Sequence, residues 1–222
     1  MPHIGTLAEG ALHAQIKAWY RRDGDLTEHP VGSHVIDIVR GELLIEVQTG
    51  GFTPLRKKIQ ALAGRPVRVV APIAVENRIV RMGDGGEVLS SRRSPKRGRV
   101  EDVFARLVSI PELLGRFELE VLLVEQQELR VHQPGRAFRR RGWVVEGRSL
   151  LAVIDSIAIP DPAAALALLP VGLPGEFDVA EIAAAGKLPR RTAQQMAYCL
   201  RKMGRIEAVG RRGNAITYRR AP

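Results

Sequence analysis

The chain has 222 residues, with 34 Lys or Arg against 24 Asp or Glu and a formal net charge of +10. Hydrophobic residues make up 45% and charged residues 26%, enough to bury a core and too apolar for wholesale disorder. No stretch approaches the roughly 20 apolar residues of a membrane span, and the single cysteine, Cys199, excludes an internal disulfide or a Cys-based zinc cluster. Met1 to Gly5 lack a basic region followed by an apolar run, so no secretory signal is read and a soluble, cytoplasmic chain is expected. The positive excess points to a polyanionic partner, nucleic acid first, with no membrane; a merely solvated basic surface is the alternative.

In chain order, Thr6 to Tyr20 places Leu7, Ala11, Leu12, Ile16 and Trp19 at helical spacing, with Glu9, His13 and Lys17 on another face. His34 to Arg40 and Leu43 to Thr49 read as strands, joined through Gly41-Glu42 in a hairpin turn, with earlier strand material around Leu26 to Val31. Pro54 to Leu62 reads as a short helix stopped by Gly64, and Pro66 to Ile73 as an interior strand. The order implies an α/β domain with a mixed sheet and flanking helices. Met82 to Ser94 reads as a loop entering a basic run, Arg92 to Arg99, with five basic residues in eight. Val100 to Leu114 reads as a helix, and Glu118 to Val131 and Trp143 to Ile159 as strands. Between these strands lies a second basic cluster, Arg136 to Arg141. Pro160-Asp161-Pro162 marks a boundary. Helices follow at Ala163 to Leu169, at Val179 to Ala185 with Asp178 as cap, and at Arg190 to Met203; a hairpin around Gly210 to Asn214 ends the chain. The expected organisation is residues 1–115, a strand-rich 116–160 that extends the sheet or supports a homodimer, and 161–222.

The chemistry sits in the first hairpin. With the turn at Gly41-Glu42, counting back along both strands sets Asp37 opposite Glu46, with both side chains leaving one face and Cβ atoms roughly 5 Å apart. Like charges there are destabilising, and an uncompensated carboxylate in a buried strand is costly. A hard divalent cation, Mg²⁺ or Mn²⁺, would relieve both. Gln48, two residues on, shares the face of Glu46; the Val47 carbonyl could complete a metal shell, and Glu9 or His13 could reach it. Two other arrangements stay open: a hairpin with one solvated face, or a carboxylate neutralised by an internal Arg or Lys.

Helix, hairpin, Asp-x9-Glu-x-Gln, helix and strand resemble the PD-(D/E)xK phosphodiesterase superfamily, the restriction-endonuclease-like fold, over roughly residues 6 to 73. The resemblance implies Asp37 as the motif Asp, Glu46 as the second acid, Gln48 at the lysine position and Glu9 as the helix acid. It departs at Ile36, where the motif has Pro, and at Gln48, where it has Lys. It implies metal-assisted phosphodiester hydrolysis: a cation held by Asp37 and Glu46 lowers the pKa of a bound water, Gln48 positions that water, and Lys17 or the Lys57-Lys58 pair adds positive charge.

Residues 176 to 220 resemble a winged helix-turn-helix domain. From Lys187 to the end there are ten Lys or Arg against one Glu, Glu207. In the long helix Ala193, Met196, Ala197, Leu200 and Met203 form an inward stripe. Arg190, Arg191, Gln194, Gln195 and Arg201 lie outside it, with the geometry that reads base edges in a major groove. Arg211 and Arg212 would touch phosphate or the minor groove from the wing. Cys199 reads as a small packing residue. The combined expectation is a Mg²⁺-dependent DNA endonuclease aimed by a winged helix. The alternatives are a non-catalytic DNA-binding or regulatory protein with a degenerate nuclease fold, and a protein-interaction adaptor.

Overall fold

A computed structural model describes residues 7–222, with side chains from residue 10 onward. The first helix, α1, spans Leu7–Tyr20. Its inward stripe is Leu12, Ile16 and Tyr20, a step of four, whereas Trp19, expected inside, is 52% exposed. Three antiparallel strands follow: β1 (Leu26–Val31), β2 (His34–Arg40) and β3 (Leu43–Val47). Gly41 takes φ +57° in the β2–β3 turn, a region where a Cβ is strained. Helix α2 (Leu55–Ala61) crosses over to β4 (Val67–Met82), which lies parallel to β3.

The long β4 organises the rest. Its first part pairs with β3 and its second part with β5 (Val88–Arg93), antiparallel. Along nearly its whole length it pairs in parallel with β6 (Glu118–His132), and β7 (Trp143–Ile159) closes the far edge. The seven-stranded sheet runs β1-β2-β3-β4-β6-β7, with β5 beside β4. Residues 116–160 therefore extend the same sheet. The expected loop from Met82 to Ser94 is corrected: β4 ends at Met82, and β5 occupies Val88–Arg93 within it. All six of its residues are exposed, so no apolar alternation advertised the strand. The expected helix from Val100 to Leu114 is also corrected. It is a 3₁₀ turn at Val100–Val103, a short helix α3 (Phe104–Leu107) and a second 3₁₀ turn at Pro111–Leu113. Pro111 forces Ile110 out of helical geometry, to φ −144° and ψ 38°.

Side chains alternate between two apolar layers. Ile38, Ile45, Val47 and Val70 pack beneath α1. Ile36, Leu44 and Val69 pack on the other face with Leu55 and Ile59 of α2 and Phe104 and Leu107 of α3. The second layer continues without a break into the C-terminal elements: α4 (Pro162–Leu166), β8 (Glu176–Phe177), α5 (Val179–Gly186), α6 (Arg190–Lys202), β9 (Ile206–Arg212) and β10 (Ala215–Arg220). The last three strands form their own sheet, β8-β10-β9. Asp178 caps α5 by accepting from the amides of Ala180 (2.7 Å) and Glu181 (2.9 Å), while Glu181 reaches back to the Asp178 amide. Buried Cys199 faces the Phe104 carbonyl, Sγ to O 3.7 Å, and burial pushes its thiol up to about 12. Among the described residues no helix is long and apolar enough to cross a membrane.

Candidate functional site

The acidic hairpin departs from simple counting. The β2–β3 ladder holds at Arg40–Leu43, Val39–Leu44 and Ile38–Ile45 and stops before Asp37. Side-chain alternation breaks at the same place, since Ile38 joins the layer under α1 and Ile36 the layer under α2. Opposite Asp37 in β1 stands Glu28 at φ +49°. A one-residue irregularity of this kind re-aims the side chain it carries. Asp37 therefore turns towards α1, where His13 Nε2 donates to its Oδ2 (3.1 Å) and the Val47 amide donates to the same oxygen (2.8 Å). That amide faces β2 and would otherwise seek a strand carbonyl.

Glu46 keeps the parity of Leu44 and faces α2. Lys58 forms an ion pair with its Oε1 and also donates to the Val35 carbonyl (2.6 Å). Glu46 Oε1 is buried, and the Lys58 ammonium is the cation that meets it. The expected arrangement, two carboxylates directly opposed on one face, is corrected: Asp37 turns to His13 of α1 and Glu46 to Lys58 of α2. This is the open alternative of a carboxylate neutralised internally, with lysine and histidine as partners.

Titration follows from these contacts. Burial of Asp37 works to raise its carboxyl, but the His13 and Val47 hydrogen bonds outweigh it and hold it below the ordinary value. The same Asp37 bond, against the opposing effect of burial, raises the His13 imidazole. Burial raises Glu46, with Lys58 holding it partly back and the Asp37 charge adding to the rise.

A divalent cation at this hairpin would draw on Asp37, Glu46 and the Val47 carbonyl. It would have to displace His13 from one acid and Lys58 from the other, and among the described residues no three His, Cys, Asp or Glu side chains come together. The described donors do not fit a ready cation site. The Glu9 side chain, the expected helix acid, lies outside the described residues. Gln48 is not turned to a reacting centre: its Nε2 donates to the Gly51 carbonyl (2.8 Å), and its own carbonyl accepts from Arg106 (2.9 Å). Lys17 pairs with Glu28.

The basic C-terminal elements are arranged differently. Helix α6 buries Thr192, Ala193, Met196, Ala197, Cys199 and Leu200. Arg190, Arg191, Gln194, Tyr198, Arg201 and Lys202 are exposed, and Gln195 is half-buried. Among the described residues none of those arginines has an acidic partner within salt-bridge distance. The β9–β10 turn lies at Gly213-Asn214, beyond the paired Arg212 and Ala215. Arg211 is exposed beside that tip, but Arg212 reaches back to Glu181 of α5 (3.1 Å). The two hairpin arginines, expected to act together, are thus unequal.

The chain belongs to the family described as Domain of unknown function (DUF8091), whose model matches residues 10–160. The match ends where β7 ends, at the Pro160-Asp161-Pro162 boundary. The chain is also 25% identical over 227 residues to an uncharacterized protein of Treponema pallidum (strain Nichols), covering 99% of this chain and 88% of that one. No solved structure matches.

Proposed function

We propose that this protein binds nucleic acid, through a C-terminal winged helix-turn-helix whose recognition helix is α6. The observation that carries the reading is the exposed stripe of α6, Arg190, Arg191, Gln194 and Arg201, with no acid paired to it among the described residues, on a helix whose other faces are buried. Exposed arginine and glutamine side chains on a rigid helix suit a major groove, and Arg211 on the neighbouring hairpin is available to a phosphate. The N-terminal domain, α1-β2-β3-α2-β4 with Asp37 and Glu46 on adjacent strands, is read as a restriction-endonuclease-like scaffold whose acids are held by His13 and Lys58.

The test is duplex binding by fluorescence anisotropy across a salt series. The triple variant Gln194→Ala, Arg201→Ala, Arg211→Ala should bind more weakly, and its slope of log affinity on log salt should be shallower by about 0.9 for each phosphate it no longer neutralises. Absent or salt-independent binding overturns the reading. A second reading, Mg²⁺- or Mn²⁺-dependent phosphodiester hydrolysis, draws on one observation, the two largely buried carboxylates of Asp37 and Glu46 on adjacent strands. Plasmid cleavage with Mn²⁺ that is abolished in Glu46→Ala would put this reading first.

A further inference from the structure

Two basic runs, Arg92 to Arg99 and Arg136 to Arg141, have no role in the reading of α6. In three dimensions they converge. A cavity of about 700 Å³ opens between the sheet and the start of α6, and Lys96, Arg106, Arg130, Arg140, Arg148 and Arg191 line it. Asp102 and Glu128 are the acids in its wall. Asp102 is spent on the Arg99 amide (3.1 Å). Glu128 serves both Arg130 (2.6 Å) and Arg148 (3.3 Å), one carboxylate for two guanidiniums.

Arg106 is the most telling member. Its Nη1 and Nη2 donate to the carbonyls of Gln48 (2.9 Å) and Pro72 (2.6 Å). These are dipoles, not charges, and among the described residues it has no carboxylate partner. Burial, with the charge of Arg148 adding, pushes its guanidinium down to about 10. A partly buried cation without a counter-charge is costly, and an anion in the cavity would remove that cost. A second cleft, of about 280 Å³, is lined by Arg81, Arg92, Arg130, Arg139, Arg140 and Arg141. Arg130 and Arg140 belong to both openings, so they form one tract. At its far end the Arg81 guanidinium lies over the Trp143 ring, 4.6 Å from the centroid.

The size decides among phosphate-bearing occupants. The cavity falls in the range of small-molecule pockets, so a duplex does not enter it. A free nucleotide would need only one opening, yet the arginines continue through two. We infer that this tract binds the phosphodiester backbone of a single nucleic-acid strand, running from Arg191 at the start of α6, past Arg106 and Arg148, to the arginine cleft. Positive grooves with flat stacking groups are the usual form of such sites. The inference deepens the nucleic-acid reading above and gives it a second surface.

The test uses the full chain, with a short oligothymidylate, a blunt duplex and ADP as probes in anisotropy and competition. The double variant Arg140→Ala, Arg148→Ala alters two arginines that are not buried. It should lose about tenfold or more in oligothymidylate affinity, with a salt slope shallower by about 1.4, and should keep duplex affinity. Arg106→Gln, with folding checked by circular dichroism, should lose oligothymidylate binding as well; if it does not fold, the double variant decides alone. Wild-type oligothymidylate affinity in the double variant overturns the tract. Duplex binding without single-strand binding overturns the tract and leaves α6 standing, and ADP binding without oligothymidylate binding overturns the strand in favour of a free nucleotide. Failure of all three probes overturns both readings.

Discussion

Lys58→Met tests how the acidic hairpin is held. Glu46 is 7% exposed, and Lys58 is the cation paired with it. Removing one partner of a buried ion pair leaves an uncompensated charge and costs about 3–5 kcal/mol. The Lys58 side chain keeps 19% exposure, so water can partly replace the ammonium and the lower figure, about 3 kcal/mol, applies. For a chain of this length that corresponds to a fall of roughly 6–12 °C in Tm. The sign with pH is fixed. Burial already raises Glu46, and losing Lys58 raises it further. An acid raised in the folded state holds its proton to higher pH than in the unfolded chain, so stability is greatest below the unfolded value and falls as pH rises through the folded one. Thermal unfolding followed by circular dichroism at about pH 4, below the ordinary Glu value of about 4.3, and at about pH 8 should therefore give a larger deficit at the higher pH. Adding Glu46→Gln to Lys58→Met removes the stranded charge and should recover most of the loss. A single variant that melts like wild type at the higher pH, or with equal deficits at both, would refute the ion pair.

His13 is raised by its bond to Asp37, so its contribution to stability is complete below about pH 6.5 and fades as pH rises through the folded value. Chemical denaturation of wild type should show that decline, and His13→Gln should remove it; an unchanged decline would sever His13 from Asp37. Gly98→Ala places a Cβ 2.4 Å from the Ala74 carbonyl oxygen and 3.0 Å from its carbon. These are backbone atoms that do not yield cheaply, so a loss of about 1–3 kcal/mol is expected by calorimetry. Gly10→Ala meets nothing within 4 Å and sits in α1, so it should instead stabilise by about 0.5–1 kcal/mol; the reverse order would refute the close approach at Gly98.

The order of the first elements was legible from local pattern. Apolar spacing gave α1, β2, β3, α2 and the start of β4, and Gly41 and Gly64 marked the turns. The capping of α5 by Asp178 was equally legible, because a cap is a contact between residues three apart. The alternation of β2 misled where it mattered most. Val35, an apolar residue of the run, is 53% exposed, and the strand reverses its faces at Asp37. Nothing in the run His34 to Arg40 announces that reversal, since it depends on Glu28 across the sheet and on the Val47 amide that Asp37 satisfies.

What the sequence determined by itself was therefore local: element types, caps, the unusual pair of acids and the lopsided charge of the C-terminal residues. Tertiary structure decided which cation each acid meets, that β4, β6 and β7 run far enough to carry distant arginines together, and that the core of the sheet continues under α6. These outcomes join residues 10, 24 and more than 90 positions apart. Spacing along the chain constrains a side chain's neighbours within a few residues, whereas partners at such separations are set by sheet register and by which faces pack together.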